Sequence, residues 1–203
     1  MVDVDSHPVA SPLARQRMRR AALGPGEHAL LGLLVLHGGA GYGYDLARHF
    51  SEQSGPLAEI IRLEPGMLYH HLKKLARDRL VTAAVDEQTG RPARQTHAIT
   101  DAGRQALDRW LREPVRATRE IRLDFLLKLF FARRLDPALA RSLVAEQRRV
   151  CDDLATSLSA QRDRLVEASE PVDPFSRQVL DLRLTQTHAA ADWLAGIARD
   201  LAG

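Results

Sequence analysis

Between Pro65 and Ile99 the hydrophobic period of the chain changes, and that change limits the folds open to it. In the stretch EPGMLYHHLKKLARDRLV a helix predicted from Pro65 to about Arg79 places Leu68, Leu72 and Leu75 on one face. Gly66, His70, Lys73, Lys74 and Arg77 gather opposite, with Tyr69 on the flank. At Val81 the spacing drops to two. Val81, Ala83 and Val85 alternate, EQTGRPAR supplies a turn with Arg91 and Arg94, and QTHAI returns as a second strand.

Helices are predicted on both sides of this unit. EHALLGLLVLHG, from Glu27, is apolar nearly all round and stops at Gly38-Gly39, which predicts a buried helix. GAGYGYDLARHFSEQSG gives a glycine-rich turn and a second amphipathic helix with Leu46, Ala47 and Phe50 on one face. Those glycines do not form a P-loop, which requires a preceding strand and a lysine. Thr100 caps a further helix, DAGRQALDRWLRE, with an inward stripe of Ala102, Ala106, Leu107 and Trp110, ended by Pro114. The predicted order is helix, helix, helix, hairpin, helix.

The polar connector Pro114 to Arg122 marks a domain boundary, and everything after it reads as helical. The expected division is a flexible basic arm at residues 1–22 (Arg15, Arg17, Arg19, Arg20), a domain at 23–113 and a helical domain at 114–203. LDFLLKLFFARRL gives a short apolar helix. Leu139, Leu143, Gln147, Val150, Leu154, Leu158, Gln161 and Leu165 then recur in steps of three and four, as do Phe175, Val179, Leu182, Ala189, Trp193, Ile197 and Leu201 after a break at Glu170 to Pro174. Such narrow seams bury little in one chain, so Leu143, Val150, Leu154, Leu158, Val179, Leu182, Trp193 and Ile197 are expected to meet a second copy.

Charge and cysteine content narrow the chemistry. A net charge of +3 with pI near 9.4 is compatible with a polyanionic partner. The single cysteine, Cys151, excludes an intrachain disulfide and a multi-thiolate metal site, and fits a reducing, cytoplasmic setting. The apolar runs fall short of the roughly 20 residues a spanning helix needs. His70 and His71 diverge by about 100° on a helix, too far to grip one ion, so no metal site and no cofactor are expected. No nucleophile elbow or acid pair marks an enzyme. A lone cysteine on an apolar helix reads as packing.

A two-faced helix preceded by a helix and turn, and followed by a basic hairpin, has the layout of a winged helix-turn-helix. In such units the second helix of the pair enters the major groove of double-stranded DNA while basic side chains contact phosphates. On this reading Lys73, Lys74, Arg77, Arg91 and Arg94 carry the electrostatic part, and Gly66, Met67, Tyr69 and His70 lie nearest the bases. The rival is a winged helix kept as a protein-binding scaffold that does not bind DNA.

The same residues carry a resemblance. ALLGLLVLHGGAGYGYDLA, EPGMLYHHLKKLARDRLV and GRPARQTHAITDAGRQAL, in that order between Glu27 and Trp110, resemble the DNA-binding domain of the PadR family of bacterial transcriptional regulators. The matching features are Gly-Tyr before the second helix, Gly-x-Leu-Tyr-x-x-Leu, the Gly-Arg-Pro wing and Thr-x-x-Gly. The resemblance implies a homodimer, usually a repressor, with C-terminal dimer contacts and often a ligand response, and it carries Tyr69 and Arg91 onto DNA contacts. This chain departs from the pattern at His70, where many members have proline, and at His97, where an aromatic is common. The ligand expected is a small aromatic effector in a pocket near Trp110, Phe125, Phe130 or Trp193, although aromatics at helical spacing are commonly plain core.

Overall fold

The protein is described here by a computed structural model covering residues 23–51, 55–86, 94–167 and 173–202. The basic arm and Arg91, at the wing tip, lie outside the described residues. The chain is mainly α-helical, with one small antiparallel sheet.

Helix α1 (Pro25–Leu36) starts on Pro25 and is buried from Gly26 to Leu34, as an apolar run without a polar face requires. Gly38 and Gly39, both at positive φ, turn the chain. They lead into a strand the sequence analysis missed, β1 (Ala40–Tyr42), read there as part of a glycine-rich turn. Helix α2 (Gly43–Arg48) follows, then a short α3 (Pro56–Ile60), also unforeseen, and α4 (Pro65–Arg77). The wing strands β2 (Val81–Asp86) and β3 (Arg94–Ile99) pair antiparallel, and β1 adds to the other edge of β3, giving the order β1-β3-β2. Helix α5 (Asp101–Arg112) completes a winged helix-turn-helix.

A shared joint orders α4, the wing and α5. Arg79, at positive φ, closes α4 as Leu80 N–H reaches back to the Leu75 carbonyl (2.9 Å). The Thr100 hydroxyl donates to the Arg79 carbonyl (2.9 Å) and accepts from Gly103 N–H (3.1 Å), capping α5 directly on that turn. A Cβ at Gly103 would stand 2.2 Å from the Leu80 carbonyl oxygen, so only glycine fits. This docking rotates α5 away from the predicted stripe. Gly103, Leu107 and Leu111 face inward, Ala102 is exposed and Trp110 is half-buried.

The connector is ordered. Val115 is buried, and the buried Gln147 side chain accepts from its N–H (2.7 Å) and donates to its carbonyl (2.9 Å). A 3-10 turn (Thr118–Glu120) and a π turn (Ile121–Phe125) lead into α6 (Leu126–Leu135), α7 (Pro137–Glu167) and α8 (Pro174–Asp200). One apolar core runs continuously from α1 and α4 through Phe131 of α6 to Val144 and Cys151 of α7 and Leu194 of α8. Ala155, Leu158, Leu180 and Leu184 form a smaller cluster between the two long helices. Among the described residues no helix is long and apolar enough to cross a membrane.

Candidate nucleic-acid interface

Helix α4 divides along its length as its sequence demands. Leu68, Leu72 and Leu75 are fully buried, while Gly66, Met67, Tyr69, His70, Lys73 and Arg77 are exposed. Space around Gly66 is open, so nothing inside the chain requires a glycine there. Met67 is 51 % exposed, a large apolar side chain offered to solvent at the first turn.

Two members of the basic face are engaged. The Lys74 ammonium donates to Glu27 Oε1 (2.9 Å), His71 Nδ1 lies 2.7 Å from the same oxygen, and Gly24 N–H donates to Oε2 (2.6 Å). Burial opposes a charge on Glu27, but these hydrogen bonds outweigh it and hold the carboxyl at about 2. Lys74 thus anchors α4 to the start of α1, and its charge is largely spent there. Arg77 pairs with exposed Asp78 at 3.2 Å, a contact that an external anion displaces at little cost.

The wing and α2 add residues the sequence analysis did not name. Tyr69 packs over Gly43, where a Cβ would come within 2.7 Å of its ring. The Arg94 guanidinium lies 5.8 Å from the Tyr42 ring centre. Tyr42, Gly43, Tyr44, Asp45, Tyr69, Arg94 and Gln95 line a concave cleft of about 460 Å³ between α2, α4 and the wing, and Tyr44 stands 70 % exposed at its edge. The paired tyrosines of GYGY were the available signal, and they were read as a turn. Glu27 carried no motif, because its partners lie 44 and 47 residues away.

His70 is exposed, its ring 6.0 Å from that of His71. Among the described residues no cluster of three metal-ligating side chains occurs. His97 is buried on β3, neither ring nitrogen has a hydrogen-bond partner among the described residues, and burial lowers its pKa.

The four aromatics proposed for a ligand separate. Trp110 stacks on His28 (4.3 Å, 7° between planes) beneath the Lys128 ammonium, and Phe125 is fully buried against Trp193. Phe130 and Trp193 do share a groove of about 620 Å³ with Ile60, Leu129, Arg133 and Arg134. Of the expected dimer residues, Leu143 and Leu158 are buried within the chain, and Val150, Leu154 and Ile197 are half-buried. Val179, Leu182 and Trp193 face solvent, beside Phe175 at 67 % exposure. The predicted α8 seam is therefore outward, and the buried line is Leu180, Leu184, Thr187 and Leu194.

Comparison with known proteins places this architecture. Residues 30–109 match the Transcriptional regulator PadR-like family, and residues 121–202 match the Virulence activator alpha C-term family. Residues 30–109 thus carry a PadR-like domain, and the chain is similar to PadR-family transcriptional regulators. It is 27 % identical over 178 residues to the negative transcriptional regulator PadR of Bacillus subtilis, covering 84 % of this chain and 94 % of that protein. Crystal structures of B. subtilis PadR resemble it at 25 % identity. The complex with operator DNA has a TM-score of 0.41 and covers 85 % of this chain and 96 % of its own. The complex with p-coumaric acid has a TM-score of 0.37 and covers 90 % and 99 %. These relatives are regulators of transcription, not enzymes.

Proposed function

We propose that this protein is a cytoplasmic, homodimeric repressor of the PadR family that binds operator DNA through α4 and the wing. The observation that carries the reading is the exposed face of α4. Met67, Tyr69, His70 and Lys73 stand clear of the core on the helix that follows α2 and α3, beside Arg94 and Tyr44 across an open cleft. Lys73, Arg77, Arg94 and, outside the described residues, Arg91 supply phosphate contacts; Gly66, Met67, Tyr69 and His70 approach base edges. Residues 23–113 form the reading domain and 114–203 the dimerisation domain. A negative role is supported by the B. subtilis relative, matched over nearly its whole length.

In a two-fold dimer the paired α4 helices read half-sites about 34 Å apart. The groove holding Phe130 and Trp193 is the site proposed for a small aromatic effector, because it spans α3 of the reading domain and α6 and α8 beyond it. A ligand binding one arrangement of those helices better than another shifts the DNA-competent population.

The test is titration of the protein's own upstream region at several salt concentrations. Affinity falls steeply as salt rises, through counterion release, and Lys73→Gln with Arg94→Gln, present in both protomers, lowers the slope of log K against log salt by about four. Salt-insensitive capture of a protein partner with no retarded DNA at low salt would support the scaffold instead. A promoter–reporter assay reads the sign of regulation.

A further inference from the structure

A second cleft, of about 270 Å³, lies between the connector and the two long helices. Arg116 and Arg119 of the connector and Arg183 of α8 line it, Leu154 and Leu158 of α7 form its apolar back, and Thr118 meets Thr187 across it. Elsewhere on the surface Arg112 pairs with Asp108, Arg148 with Asp152, Arg149 with Glu146 and Arg162 with Asp163. Among the described residues no carboxylate pairs with the side chains of Arg116, Arg119 or Arg183. Glu120, on the same turn, spends one carboxylate oxygen on the backbone N–H groups of Arg116 (3.2 Å) and Ala117 (3.0 Å). Three like charges around one concavity repel one another, and an anion seated between them relieves that repulsion.

The floor is fixed. Thr187 is fully buried and its hydroxyl donates to the Arg183 carbonyl (2.7 Å), so the 3.2 Å contact with Thr118 Oγ1 has Thr118 as donor. That contact holds the connector turn against α8 and keeps arginines from two separate elements at one cleft. Guanidinium groups match the planar pairs of oxygens on phosphate and carboxylate, and three of them suit a dianion better than a monoanion. The leucines favour a ligand with an organic portion over a fully hydrated ion.

We infer that this cleft binds a small phosphate monoester, its phosphoryl group between the three arginines and its organic part against Leu154 and Leu158. The site is separate from the α4 face and from the groove at Phe130. Because it bridges the connector and α8, its occupant stiffens the junction between the reading domain and the long helices. That last consequence rests on the DNA-binding reading; binding itself does not.

The test uses the full-length protein at pH 7.5 and constant ionic strength, with phenyl phosphate, inorganic phosphate, phenol and sulfate followed by calorimetry and thermal shift. Phenyl phosphate is expected to bind saturably and at least tenfold more tightly than inorganic phosphate, with phenol inert. Arg119→Gln and Arg183→Gln each weaken it tenfold or more, lysine at either position restores part of the loss, and Arg162→Gln leaves it unchanged. Equal stabilisation by sulfate, or unchanged binding in the double variant of Arg119 and Arg183, overturns the proposal. So does an absence of phosphate binding combined with a lower salt slope for DNA in the same variants, which assigns the arginines to DNA instead. Operator binding by the unaltered protein is measured separately, so failure here leaves the α4 reading standing.

Discussion

Single side chains near the start of α1 set how the protein responds to acid. His28 stacks on Trp110, and the contact of its Nδ1 with the Gly24 carbonyl (3.1 Å) requires the proton on that nitrogen. Burial lowers its pKa from 6.5 to about 4, and burial lowers that of His97 too. An unfolded chain takes up these protons near pH 6.5 while the folded chain does not, so stability is full above 6.5 and falls as pH drops toward 4. His28 alone contributes a loss of about 3 kcal/mol over that interval. Glu27, held at about 2, continues the decline in the same sense below its ordinary 4.5. Urea midpoints measured from pH 7.5 to 4.5 should trace this fall, and His97→Phe should raise the midpoint and flatten the curve; a flat profile in the unaltered protein would contradict it. Glu27→Gln leaves Lys74 and His71 facing an uncharged group. The expected cost is about 2 kcal/mol, moderated by the partial exposure of both partners, with weaker DNA binding through a loosened α4. Chemical denaturation beside a DNA titration separates the two effects.

Among the elements, the joint of α4, wing and α5 depends on what cannot be added. Gly103→Ala drives a methyl into the Leu80 carbonyl and the Ile99 side chain, for an expected loss of about 2–3 kcal/mol in urea denaturation. A loss under about 0.5 kcal/mol would mean that the joint yields. The Thr100 cap was legible in the sequence because it acts locally, on the N–H three residues on, whereas the close approach of Gly103 to Leu80 spans a whole hairpin. Helix α4 was legible because its leucines and its charges have the same period and opposite phase. β1 was not, since Ala-Gly-Tyr, next to two glycines, becomes a strand only when β3 offers its edge. The inward face of helix α8 was not legible for another reason. It carries two apolar stripes one residue apart, and α7 decides which one is buried. Thr187 sits in the buried stripe because its hydroxyl is satisfied by its own helix and by Thr118, a solution that hydropathy does not register.

At the level of the whole molecule the unused stripe on α8 is an extended exposed apolar feature among the described residues. Phe175, Val179 and Leu182 lie outward along its first three turns, with Trp193 farther on. If a second copy covers them, Phe175→Ser with Leu182→Ser removes about 1.5–3 kcal/mol of burial at each position in each protomer. Sedimentation at micromolar concentration should then move from dimer toward monomer while the α-helical circular dichroism is kept. A chain that is monomeric before the change would refute the assignment. The bond between Gln147 and Val115 bears on the same scale. Two hydrogen bonds tie the connector backbone to α7 as one strand ties to another, so the elbow between the two halves is stiff. From Gln147 helix α7 runs on to Glu167, a lever arm of roughly 30 Å, and about 5° of pivot at a stiff elbow becomes about 3 Å of travel at its far end. Run in reverse, that gearing lets whatever grips the ends of the long helices steer α4 without touching it.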